Sequence, residues 1–321
     1  MRTTRTSSLA LPCDLDTKSP LVSTPRLICI GNITVDESVQ PNGTRREALG
    51  GDAIFAVLAA RYAGGDAGWL APIGHDLPET LLAELRAAGL DIAGLPDRDL
   101  PSVRNVVTYH ADGGRTWDLV AGDDHFDQMS VYPADVPDRY LACEGLLVLA
   151  MSVRSQLALT PWLRANSAAA IYLDLEEDGV VGHEAELLDT VASCDVFLPS
   201  EVEARRLSGS DEMEVAARRF SRLGPSCVVI KRAERGCLVL ENGVLTEVAT
   251  TPVIALDPTG AGDAFCGAFA AAHLDLGDAV AAARIAAGAA RVAIGGYGVE
   301  ALLAEAKRAE TQRRLANGVR P

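Results

Sequence analysis

Short runs of apolar residues alternate along this chain with stretches whose apolar positions recur every three or four residues, the mark of strands and helices taken in turn. The runs predict strands over 27–31, 68–72, 146–150, 170–174, 196–199 and 227–231. The recurring patterns predict helices over 53–62, 78–88, 155–164, 201–207 and 213–223. Such an order predicts an α/β fold, a doubly wound and mostly parallel sheet with helices on both faces, whose ligands sit at the C-terminal ends of the strands.

Elsewhere the alternation breaks. Val106-Val107-Thr108-Tyr109, then Asp112-Gly113-Gly114-Arg115, then Thr116-Trp117-Asp118-Leu119-Val120 predicts a β-hairpin with a glycine turn. Residues 1–25, rich in Ser, Thr and Pro, read as a disordered tail, which leaves 26–321 as the folded domain.

Chemistry concentrates near residue 260. An extended segment is predicted over 250–256, and Phe265, Phe269, Ala272 and Leu276 recur at the spacing of one helical face. Between them, Asp257-Pro258-Thr259-Gly260-Ala261-Gly262-Asp263 reads as a small-residue turn at a helix N-terminus, where free backbone N–H groups converge on an anion. A carboxylate there repels a bound polyphosphate unless it has work of its own. Asp263 reads either as a base that takes a hydroxyl proton beside the transferring phosphoryl group, or as a plain complement to the helix dipole.

Composition narrows the alternatives. A 321-residue chain that is 48% hydrophobic has enough apolar surface for a large core. No apolar run approaches the roughly 18 residues that span a bilayer, and Leu9-Ala10-Leu11 is too short for a signal-peptide core. A cytoplasmic protein without a membrane partner is expected. The net charge of −15 argues against nucleic acid as a partner, whose binding needs clustered cations. Seven scattered cysteines show no zinc or redox spacing and are expected to be free thiols, Cys266 packing its helix. His183-Glu184 lacks the second histidine of a zinc helix, Leu187 standing in its place. Without any Gly-Lys pair there is no Walker-A loop, and without Gly-x-Gly-x-x-Gly after the first strand no Rossmann dehydrogenase site.

The run Asp257-Pro-Thr-Gly-Ala-Gly-Asp263, followed by Gly267-Ala268-Phe269-Ala270, resembles the C-terminal signature of the ribokinase-like (PfkB) carbohydrate and nucleoside kinases. Upstream, Gly50-Gly51-Asp52 and the helical pattern to Gly64 resemble that family's N-terminal Gly-Gly motif, while Ile30 to Asp36 and Pro72 to Asp76 resemble its first strand and a Gly-x-Asp turn. The resemblance implies an ATP- and Mg2+-dependent kinase acting on a small sugar, polyol or nucleoside. It makes Asp263 the base and the N–H groups of Gly260, Ala261 and Gly262 the anion hole. It also implies that 34–49 and 102–121 form a small β-lid through which two copies pair as a homodimer.

Further residues take expected places by the same resemblance, each beside a plainer reading. Asp36, with Gly50, Gly51 and Asp52, would hold the acceptor; alternatively Asp36 is a solvated strand end and Asp52 a helix cap, and Asn32 reads more readily as structural. Phe55 departs from the asparagine many relatives carry, which makes the pocket more apolar or stacks on a ring. Ser200 and Glu203 resemble an Asn-x-x-Glu element, Glu203 acting on magnesium through water, yet a capping box explains the pair equally. Lys231, Gly236 and Thr259 fall on the nucleotide side, Lys231 otherwise being a solvated charge, and relatives usually carry glycine at the place of Ala233. Asp257 and 289–298 correspond to where several relatives hold K+ on backbone oxygens. Alternatives within reach are a nucleoside kinase of the same fold and a sugar-binding regulator that has lost catalysis.

Overall fold

The computed structural model describes residues 24–111 and 115–316. Eight strands form the main sheet, in the spatial order Val244–Val248, Cys237–Glu241, Cys227–Lys231, Val196–Phe197, Ala170–Leu173, Gly145–Val148, Leu27–Ile30 and Ala67–Leu70. The six strands from Cys227–Lys231 to Ala67–Leu70 run parallel, and the last two at the other edge are antiparallel. Leu27, Ile28, Cys29 and Ile30 are all buried, as strands covered on both faces must be.

Successive residues of these strands serve opposite cores. Leu27 and Cys29 join one apolar cluster with the helices Asp52–Tyr62, Ala261–Leu276 and Ala279–Ala293. Ile28 and Ile30 join the other, with Val153–Asn166, Glu184–Val191, Glu201–Ser208 and Met213–Ser221. Alanine and glycine let the two central helices of the first layer approach closely. A Cβ at Gly267 would stand 2.0 Å from the carbonyl oxygen of Ala56, so the helix bearing Asp263 is held directly against the helix that starts at Asp52.

A second, four-stranded sheet runs Arg45–Gly50, Thr34–Val39, Val103–Tyr109, Arg115–Leu119. Its central pair is parallel and the outer pairs antiparallel, with Asp36 opposite Asn105. The hairpin expected from sequence is therefore present, although Asp112, Gly113 and Gly114 lie outside the described residues. The tail expected over 1–25 lies outside them too, apart from 24 and 25.

Local patterns misplace one element. The extended segment expected over 250–256 joins no strand, and its main-chain tie is Leu256 N–H to the carbonyl of Ile294 at 2.8 Å. Val244–Val248 is the last strand at that edge, and Pro252 has no N–H to donate to a further ladder. Of the expected cation segment 289–298, residues through Ala293 belong to a helix, and the carbonyls of Ala290, Val292 and Ala293 accept local N–H groups.

At Ala233 the backbone enters the left-handed region, φ 49°. Its Cβ makes that conformation costly, which accounts for the glycine that the family resemblance puts at this place. Ala233→Gly is expected to raise unfolding free energy by about 0.5–1 kcal/mol in urea titrations, the relief of strain exceeding the added chain entropy. An unchanged or lower midpoint would refute the strain.

Candidate active site

Among the described residues, no side chain makes a capping hydrogen bond at the start of Ala261–Leu276. Gly260 caps the helix with φ +76°, and a Cβ there would stand 2.4 Å from the Phe55 ring. Phe55, 1% exposed, thus packs beneath the turn and supports it. Ring stacking on a ligand, one of the two roles expected for it, is limited by that contact. Asp257 shapes the other side: its Oδ1 accepts from Thr259 N–H at 3.0 Å and from the Tyr109 hydroxyl at 2.7 Å. Tyr109 also lies 3.2 Å from Thr259 Oγ1, so the small sheet touches the turn directly.

Asp263 opens on the cleft from the first turn of the helix, half-buried. Burial, and next the Asp174 carboxylate, push its pKa up to about 6 against the pull of Lys231. Asp174 is 3% exposed and had no place among the expected site residues. Its Oδ2 accepts from Lys231 Nζ at 2.6 Å and from Cys266 Sγ at 3.2 Å. Burial opposes the Lys231 charge most strongly, but Asp174, Cys266 and Glu203 together outweigh it and hold the ammonium form above its usual range. Lys231 is therefore an ion-paired side chain at 13% exposure, and the solvated-charge reading is replaced. The sequence signal for Asp174 was its position ending a predicted strand, at the edge where such folds bind ligands.

Ser200 and Glu203 form the capping box: Ser200 N–H donates to Glu203 Oε2 at 2.7 Å and Glu203 N–H donates to Ser200 Oγ at 3.2 Å. Glu203 is 5% exposed, and burial, then Asp174, raise its pKa to about 8. Gly236 turns the chain at φ +82°, where a Cβ would stand 2.0 Å from the carbonyl oxygen of Val248.

At the other end of the cleft, Asp36 is buried, not solvated, and its Oδ1 accepts from Asn105 Nδ2 at 2.8 Å. Burial raises its pKa to about 6, though Asn105 opposes the shift. Asn105 was not anticipated either, since only the pairing of two strands distant in sequence sets it beside Asp36. Gly50 is small because Asp36 is there: a Cβ would stand 1.9 Å from Asp36 Oδ2. Asp52 is the first helical residue, not the cap, which is Gly51. Its Oδ1 accepts from Ala53 N–H at 2.6 Å and from Asn32 N–H, while Asn32 Nδ2 donates to the Met129 carbonyl at 2.6 Å. Asn32 Oδ1 and Asp52 Oδ2 are buried without a hydrogen-bond partner.

All fourteen expected site residues except Gly50 line one cleft of about 2040 Å³. Among the described residues the six cysteines are free and buried, and no helix is long and apolar enough to cross a membrane.

Residues 26–306 match the profile described as pfkB family carbohydrate kinase. The chain belongs to the pfkB family. Its members are phosphotransferases with a hydroxyl acceptor, and this chain is one of them. The pfkB chain is 28% identical over 250 residues to a cytidine kinase of Thermococcus kodakarensis, covering 77% of this chain and 88% of that one. It superposes on a nucleoside kinase of Burkholderia thailandensis solved with inosine, with TM-score 0.72 and 20% identity over 92% of this chain and 99% of that one. An E. coli structure in complex with ATP and Mg2+ gives TM-score 0.73 at 22% identity, covering 91% of this chain and 100% of that one. These two establish the pfkB chain's fold as ribokinase-like.

Proposed function

We propose that this kinase moves the γ-phosphoryl group of ATP to a hydroxyl of a small sugar, polyol or nucleoside, with Asp263 as the base. The observation that carries the reading is one cleft holding a half-buried carboxylate at a helix N-terminus without a side-chain cap and, in the same cleft, the buried Asp36–Asn105 pair. Asp36, Asp52, Asn32 and the Gly50-Gly51 backbone orient the acceptor. As the acceptor oxygen bonds to phosphorus, its proton passes to Asp263. The bond from that phosphorus to the bridging oxygen breaks, and ADP leaves with the electron pair. The amides of Gly260, Ala261 and Gly262 receive the charge that develops on the transferring group. Ser200, Lys231, Gly236 and Thr259 form the nucleotide side.

A magnesium ion fits this donor set. Among the described residues no group of three or more His, Cys, Asp or Glu makes a cage, which suits a cation that keeps its waters and is held mainly by phosphate oxygens. Glu203, crowded by Asp174, is the residue to hold it through water. When bound, the ion neutralises phosphate charge. Potassium near Asp257 and 289–298 belongs to the same reading, as does a cytoplasmic homodimer paired through the small sheet. That sheet, tied to the turn by Tyr109, excludes water as a competing acceptor.

ADP release from Mg·ATP, with and without K+, across pentoses, hexoses, polyols and nucleosides tests the reading. At least one member is expected to drive turnover, and a panel with no active member overturns the proposal. Gly50→Ala is expected to displace Asp36 and raise the KM for the active acceptor about tenfold or more, equal to a loss of about 1.4 kcal/mol in binding, with kcat changed less. An unaltered KM would remove Asp36 from the acceptor site.

A further inference from the structure

The turn Gly260-Ala261-Gly262 is held in place from outside itself. Its residues have no side chain longer than a methyl group with which to fix one another, and Gly260 stands at φ +76°. The chain that enters the turn, 250–256, joins no strand, so no sheet ladder restrains it. Phe55 supports the turn from the core. The entry is fixed at Asp257, 4% exposed, whose Oδ1 accepts from Thr259 N–H at 3.0 Å and from the Tyr109 hydroxyl at 2.7 Å. The same hydroxyl lies 3.2 Å from Thr259 Oγ1, so one phenol touches both residues on which the turn pivots.

Tyr109 belongs to the small sheet, whereas the turn belongs to the main domain. Its strand, Val103–Tyr109, also bears Asn105. Side chains alternate along a strand, so these two project from one face, and both line the cleft. Asn105 bonds Asp36 at 2.8 Å. A single strand thus connects the Asp36 end of the cleft with the turn at its other end. The connection is stiff at the Tyr109 side, because a hydroxyl at the end of a rigid ring donates to a buried carboxylate.

We infer that Tyr109 is a positioning residue for the turn: acting through Asp257 and Thr259, its hydroxyl sets the direction of the 260–262 amides, so that their grip on a terminal phosphate depends on the seating of the small sheet. The inference rests on the kinase reading above and adds a residue to it. Direction matters because a hydrogen bond weakens steeply as its angle closes, and fixed donors stabilise developing charge only where they already point at it. In that reading the turn holds the group being transferred, which ADP lacks. Loss of the phenol hydroxyl therefore loosens the hold on a triphosphate and spares a diphosphate.

The test compares the full chain with Tyr109→Phe, which keeps the ring. Mg·AMP-PNP and Mg·ADP are titrated into each by calorimetry at constant K+, and amide hydrogen exchange is followed without ligand. The Kd of Mg·AMP-PNP is expected to rise about tenfold in the variant, equal to about 1.4 kcal/mol, and that of Mg·ADP by less than about twofold. Exchange across 257–263 should quicken while Leu27–Ile30 keeps its protection. Equal weakening of both nucleotides, or faster exchange in Leu27–Ile30 as well, would show a merely structural role and overturn the inference. Unchanged nucleotide binding and exchange would also overturn it, leaving the kinase reading in place. A parent protein that binds neither nucleotide overturns the kinase reading itself, a result independent of the exchange data.

Discussion

Asp263→Asn is expected to lower kcat by about 10²–10⁴-fold while the fold and acceptor binding persist. Asparagine keeps the shape of the side chain and cannot take the acceptor's proton. The pH profile should carry the same signature. With a pKa of about 6, Asp263 is ionised at neutral pH, so kcat/KM of the parent is expected to fall as pH drops through 6. Asp36 titrates in the same range, which makes that acid limb steeper than one ionisation. Stability should move the other way. The folded chain holds this proton to higher pH than the unfolded chain does. Ionisation therefore penalises the fold progressively from about pH 4 to about pH 6 and fully above it. The asparagine variant should melt higher than the parent at pH 8, by on the order of 1 kcal/mol for a half-buried group, and match it near pH 4. A variant that retains a tenth of the parent kcat would remove Asp263 from the role of base.

The largest loss of stability is expected at Lys231. Truncation to alanine leaves Asp174, 3% exposed, without its ammonium partner, and breaking such a buried pair costs about 3–5 kcal/mol. The thiol of Cys266 remains as a weaker donor to the same oxygen. Urea unfolding of Lys231→Ala, Asp174→Asn and the double variant forms a thermodynamic cycle. The double variant should be more stable than Lys231→Ala alone, because no buried charge is stranded. A single variant within 1 kcal/mol of the parent would mean that water reaches Asp174 through the cleft. Ligand-free unfolding keeps this result separate from any loss of nucleotide binding.

How much could be read in advance follows from the range of each interaction. The turn Asp257–Asp263 and the motif at Gly50-Gly51 are contiguous, so their chemistry is written in neighbouring residues. The parallel strands read as short apolar runs because both of their faces are buried. By contrast, the extended segment expected over 250–256 has apolar residues and still pairs with nothing; Ile254 is fully exposed. Local pattern predicts which residues suit a strand, not whether a neighbouring strand takes them as a partner. Lys231 shows the same limit: its place at a strand end was legible, its partner 57 residues away was not.

By itself, the sequence determined the alternation of elements, the helix N-terminus with its carboxylate and the family to which the chain belongs, since each depends on residues adjacent along the backbone. Tertiary structure alone decided that Asp174 sits against Lys231, that Asn105 meets Asp36, and that Phe55 supports Gly260. It also brought the turn at Gly260, the capping box at Ser200 and the Asp36–Asn105 pair to one cleft. The physical reason is that burial and electrostatic coupling depend on distance through space, and the sheet order brings together strands that lie far apart in the chain.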